Sequence, residues 1–156
     1  MVLDKDFKEF IRLLNENGVR YLVIGGYAVA YHGYPRYTKD IDFWISADPD
    51  NADRLIKTIQ DFGLGVLGLQ KEDLINPDNV IQLGYEPNRI DLIVALEGLD
   101  FESCFSRRED VAFENLDVHF IGFDDLIQNK RSTGRMKDKV DAKTLEKKVK
   151  KNKPKK

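Results

Sequence analysis

The run Val19–Ile24, closed by Gly25-Gly26, constrains the chain more than any other segment. Its β-branched bias and short length predict a buried strand. The glycines stop it, Tyr27–Tyr31 follows as a short helix, and Gly33-Tyr34-Pro35 breaks that helix. Upstream, Phe7, Phe10, Ile11 and Leu14 form an amphipathic helical stripe within Asp4–Asn17, ended by Asn17-Gly18. Downstream, Asp40–Ile45 reads as a second strand. Pro49 suits a first helical position, and Ala52, Leu55, Ile56, Ile59 and Phe62 mark a second amphipathic helix. Gly65–Leu69 and Val80–Leu83 read as short strands, with a loop or single turn around Asn76-Pro77 between them. Arg89–Ala95 reads as a third core strand. Val111–Phe113 and Val118–Ile121 suggest a hairpin about Glu114-Asn115, and Phe123–Lys130 and Arg135–Val149 read as helices. Such alternation predicts an α/β or α+β fold, a mixed sheet with helices packed on it.

The chain of 156 residues, 42% hydrophobic and 33% charged, suits one soluble folded domain. Cys104 is the single cysteine, so an intramolecular disulfide and a cysteine-based zinc cluster are excluded, and a reducing, cytoplasmic setting is expected. The acids in Met1–Asp6 do not resemble a secretory leader, and the longest uncharged stretch, Tyr21–Pro35, is too short to span a bilayer. The net charge of −2 conceals an asymmetry: Lys143–Lys156 holds eight lysines and one glutamate, +7, which leaves −9 on the rest. Charge therefore divides the chain into residues 1–142 and a basic tail, 143–156. The tail either contacts RNA phosphates through point charges or is simply a solvated helix end.

Candidate chemistry is concentrated in two segments. Residues two apart in a strand share a face, so Asp40 and Asp42 project together while Ile41 and Phe43 turn to the other side. Two like charges held that close repel, and a hard divalent cation such as Mg²⁺ or Mn²⁺ relieves the conflict. Gly25 and Gly26 would let a phosphate chain approach the backbone. Asp91 sits in an otherwise apolar strand, where an ionised group needs a partner or a metal. Each feature also has an ordinary reading: Gly-Gly as a turn, Asp-x-Asp as a solvated strand face, Asp91 salt-bridged by Arg89 or Arg36. Arg36 and Lys130 are candidate phosphate contacts; otherwise Arg36 pairs with Asp40 or Asp42, and Lys130 is a solvated helix position. Arg135 and Asp138, three apart, pair on a helix. His32 reads as a helix cap, His119 as an exposed strand residue, Cys104 as packing and Trp44 as core or rim.

Together, Gly25-Gly26-Tyr27-Ala28, His32-Gly33 and Arg36-Tyr37-Thr38-Lys39-Asp40-Ile41-Asp42, with the distal Asp91, resemble the nucleotidyltransferases of the DNA polymerase β superfamily. More narrowly, the pattern is similar to small bacterial members related to the nucleotidyltransferase domains of type IV abortive-infection toxins. Asp125–Lys130 and Gly134–Asp138 resemble the closing helices of that group. The resemblance implies the nucleotidyltransferase fold, two Mg²⁺ ions held by Asp40, Asp42 and Asp91, and an NTP donor contacted by Gly25, Gly26, Arg36, Thr38 and Lys130. It also implies in-line attack of a hydroxyl on the α-phosphorus with loss of pyrophosphate, Asp91 assisting deprotonation. Many superfamily members have serine where this chain has Gly26, so Thr38 or backbone N–H groups would replace that hydroxyl.

The function expected is nucleotidyl transfer from an NTP to a small molecule, an RNA 3′ end or a protein hydroxyl. A toxin–antitoxin role fits the narrower resemblance, and a homodimer or partner chain would complete so small a site. Two other classes compete: a non-catalytic nucleotide- or metal-binding module of the same fold, and an RNA-interacting protein acting through its lysine tail.

Overall fold

The computed structural model describes residues 3–85 and 87–152. In chain order the elements are α1 (Lys5–Glu16), β1 (Tyr21–Ile24), α2 (Gly25–Tyr31), β2 (Ile41–Ile45), α3 (Pro49–Asp61) and a 3₁₀ turn (Gly65–Leu67). There follow α4 (Lys71–Ile75), β3 (Val80–Leu83), β4 (Ile90–Ile93), α5 (Phe101–Ser106), β5 (Glu109–Phe113), β6 (Leu116–Phe120), α6 (Phe123–Ser132) and α7 (Met136–Asn152). Local chemistry sets several boundaries. Asp4 caps α1 by accepting from the Asp6 N–H, and Asp48 caps α3 by accepting from Asn51, with Pro49 at the first helical position.

The strands form one mixed sheet in the order β3-β4-β2-β1-β6-β5. β1 runs antiparallel to β2 and parallel to β6, while β2 and β4 run parallel. Phe43 lies on one face of β2, opposite Val23, and meets Phe10 of α1 at a ring separation of 5.6 Å. Trp44 points the other way, 1% exposed and edge-on to Phe101 of α5 at 5.2 Å. The sheet is thus covered on both faces, and any ionised side chain near its middle must lie at a strand end.

Two sequence expectations change. Gly65–Leu69 is not a strand: Gly65–Leu67 makes a 3₁₀ turn closed by Gly68 at φ +64°, and Val66 stands exposed. The segment before Asn76 forms α4, capped reciprocally by Gln70 and Asp73. α7 runs unbroken through the 142–143 division that charge suggested, and Leu145 is fully buried. The last part of the lysine run, residues 153–156, lies outside the described residues, so the RNA-contact expectation falls partly beyond them. Among the described residues no helix is long and apolar enough to cross a membrane.

Candidate active site

Register brings the acids together. In the parallel β2–β4 pair Asp42 lies directly opposite Asp91, and on its other side Asp42 faces Ile24 at the end of β1. Asp40 immediately precedes β2. Asp91 is buried at 7% exposure, whereas Asp40 and Asp42 are half-buried. All three therefore gather at one end of the central strands.

Arg89, two residues before Asp91, links two of them. Its Nε donates to Asp91 Oδ1 at 2.8 Å, and one terminal nitrogen donates to Asp91 Oδ2 at 3.1 Å and to Asp40 Oδ2 at 2.9 Å. The salt-bridge reading of Asp91 therefore holds in this structure, with Arg89 as the partner. Arg36 goes instead to Asp141 of α7, at 2.5 Å, rather than to Asp40 or Asp42. Asp42 is left to bear the repulsion. Burial pushes its pKa up to about 7, helped by the charge and hydrogen bond of Asp91 and by Asp40, and opposed by Lys130.

Two observations test whether these residues suit a divalent cation. Asp40 Oδ1 is buried without a hydrogen-bond partner, and Asp42 is driven toward protonation first by burial and then by its acidic neighbours. An unsatisfied carboxylate oxygen and a buried carboxylate beside two others leave acceptor capacity that a cation could take up, and all-oxygen donors suit Mg²⁺ or Mn²⁺. Among the described residues no three Asp, Glu, His or Cys side chains already close around a vacant point. The Arg89 guanidinium instead spans Asp40 and Asp91, so a cation would need these side chains to rearrange.

The diglycine makes room for the same groups. Gly25 has φ +67°, and a Cβ there would stand 2.2 Å from Asp42 Oδ2. A Cβ on Gly26 would stand 3.0 Å from Thr38 Oγ1, which donates to the Asp40 carbonyl at 2.9 Å. Side chains here thus sit close against both glycines, and Thr38 occupies the place over Gly26. Gly25, Gly26, Thr38, Asp40, Asp42, Arg36 and Lys130 all line a single cavity of about 650 Å³.

α6 and the turn before α7 supply part of the cationic wall. Lys130 is 9% exposed, with its Nζ 3.1 Å from Asp138 Oδ1 and 3.6 Å from Asp141 Oδ2, so it is a buried paired lysine rather than a solvated one. Arg135 pairs with Asp138 at 2.7 Å, as their spacing suggested. Burial works against the Asp138 carboxylate, yet Thr133, Lys130 and Arg135 hold its pKa below the ordinary value. Sequence reasoning missed Asp141. The available signal was the buried stripe Asp138, Asp141, Ala142, Leu145, in which two acids hold positions that α7 otherwise fills with apolar groups.

The other residues singled out in the sequence are structural. The His32 backbone N–H caps α2, and its Nε2 lies 2.7 Å from the Ile121 carbonyl. His119 is half-buried beside Tyr21 and pairs with Asp110 at 2.6 Å, so it is less exposed than alternation implied. Cys104 is fully buried and free.

No family model matches the chain, and no curated protein matches it in sequence. Solved structures do match it in shape. The lincosamide antibiotic adenylyltransferase LnuA, solved with lincomycin bound, is similar at a TM-score of 0.55 and 14% identity, over 93% of this chain and 97% of that one. TM1012 of Thermotoga maritima, a candidate nucleotidyltransferase, is similar at a TM-score of 0.60 and 15% identity, over 94% and 91%. An antigenic nucleotidyltransferase-like protein of Paracoccidioides brasiliensis is similar at 0.54 and 16%, over 98% and 80%. The chain has the nucleotidyltransferase fold.

Proposed function

We propose that the protein transfers a nucleoside monophosphate from an NTP to a hydroxyl acceptor. The observation that carries this reading is the strand register that sets Asp42 beside Asp91, with Asp40 and Asp42 lining a cavity walled by Arg36, Lys130 and Arg135; Asp91 itself, 7% exposed, is not among the residues lining that cavity. The nucleotidyltransferase fold supports it.

Asp40, Asp42 and Asp91 would hold Mg²⁺ or Mn²⁺, which when bound supplies Lewis acidity at the phosphate oxygens and lowers the pKa of the acceptor hydroxyl. Arg36, Lys130 and Arg135 offset the negative charge of the triphosphate and of the departing pyrophosphate. Asp91 takes the hydroxyl proton as the acceptor oxygen bonds to the α-phosphorus and the bond to the β-phosphate bridging oxygen breaks. Arg89 holds the Asp91 carboxylate in place, its Nε and one terminal nitrogen each donating to one carboxylate oxygen. The acceptor class is a small molecule, an RNA 3′ end or a protein hydroxyl.

One observation favours a second reading. Arg89 spans Asp40 and Asp91, the positions a catalytic cation would use, as expected of a relative that binds nucleotide without transferring it. Incubation with each α-labelled NTP, Mg²⁺ and an extract of the source cells separates the two. The enzyme reading expects label on an acceptor that is lost in Asp42→Ala. Tight NTP binding with no label transferred would replace it with the binding-module reading.

A further inference from the structure

The phosphate cations Arg36 and Lys130 come from distant parts of the chain, the loop before β2 and the second half of α6. Long cationic side chains lose rotamer freedom when they grip a ligand, and that loss is smaller if they are already held. A single carboxylate holds both. Asp141 Oδ1 accepts from Arg36 Nη2 at 2.5 Å, and Asp141 Oδ2 lies 3.6 Å from Lys130 Nζ. The Asp141 side chain is 4% exposed and its Oδ2 makes no hydrogen bond. A carboxylate so buried persists only against flanking positive charge.

Neither cation is consumed by the contact. The guanidinium carries five N–H donors and the ammonium three, more than Asp141 and Asp138 engage. Arg36 is further fixed by stacking 4.7 Å over the Tyr34 ring. Within this ion-pair cluster Arg36, Lys130 and Arg135 against Asp138 and Asp141 leave one positive charge in excess. Asp141 itself is not among the residues lining the cavity. We propose that Asp141 is a positioning residue that presents Arg36 and Lys130 together to the phosphates of an NTP, so that α7 sets the triphosphate grip. The inference rests on the cavity being an NTP site.

The test is calorimetric titration, in excess Mg²⁺, of the α,β-methylene analogues of the four NTPs and of the matching nucleoside monophosphates. Asp141→Asn keeps the shape of the side chain and an acceptor for Arg36 but removes the charge. Triphosphate affinity should fall roughly tenfold while monophosphate affinity holds. Asp141→Glu, which keeps the charge and displaces it by a methylene, should give a smaller loss in the same ratio and serves where Asp141→Asn does not fold. A triphosphate-to-monophosphate ratio that stays at the wild-type value in both variants, as for a purely structural Asp141 that only lowers the melting temperature, or that rises in Asp141→Asn, as where the carboxylate competes with the phosphates for the cations, overturns the inference alone. Wild-type protein that binds none of the analogues overturns the NTP reading and the inference with it.

Discussion

Asp42 carries the electrostatic tension of the site. Its pKa rises from 3.8 to about 7 on folding, so between those values the native state binds a proton that the unfolded chain has released. Metal-free stability contributed by this residue is therefore intact below pH 3.8 and is lost as pH climbs toward 7. Asp42→Asn removes the ionisation. Relative to wild type, the metal-free variant should be equally stable near pH 4 and more stable at pH 8, by at most about 4 kcal/mol. Thermal melts of both proteins across that range check it; a difference independent of pH would mean that Asp42 does not titrate as described. Saturating Mn²⁺ should narrow the gap at pH 8, since the cation would relieve the same repulsion in wild type. The pairing of acids was legible in Asp40-Ile41-Asp42, because strand periodicity follows from the backbone alone. That Arg89 reaches both Asp40 and Asp91, while Arg36 turns to Asp141, depends on which strands become neighbours, and a linear pattern does not contain that.

Elements with strong local chemistry match their sequence reading, and those without it do not. α1 and α3 carry clear apolar stripes and side-chain caps. Val66 and Leu67 suggested a strand by composition, but Gly65 and Gly68 close a turn around them and they remain solvent-exposed. α5 has only six residues and gives too short a pattern to read, although it supplies Phe101 to the core. The β5–β6 hairpin turns on Glu114 and Asn115, both at positive φ, 49° and 68°. With Phe113 paired to Leu116, this is a two-residue loop of the type that favours asparagine and glycine. Glu114 is the poorer fit, and its ion pair with Lys8 is exposed. Glu114→Asn should raise stability by about 0.5 kcal/mol, measured as a higher urea midpoint at unchanged slope.

For the whole molecule, α7 joins the core to the site. Its stripe buries Ala142 and Leu145 and, on the same side, directs Asp138 and Asp141 to the cations of the cavity. Lys148 extends the contact to the Gly33 carbonyl at 2.5 Å. Leu145→Ala should cost about 3 kcal/mol, seen as a melting-temperature drop on the order of 10 °C. A loss below about 1 kcal/mol would show that α7 packs too loosely to position anything. The sequence by itself determined the amphipathic helices, the buried central strands and the acids that would need a partner, because periodicity, capping and the cost of an unpaired charge all act over a few residues. Only the tertiary structure decided that β2 lies between β1 and β4, that Asp42 falls opposite Asp91, and that a helix read as basic brings a buried aspartate to Arg36. Those outcomes depend on sheet order and helix docking, where residues as far apart as 36 and 141 come into contact and no local rule selects the partner.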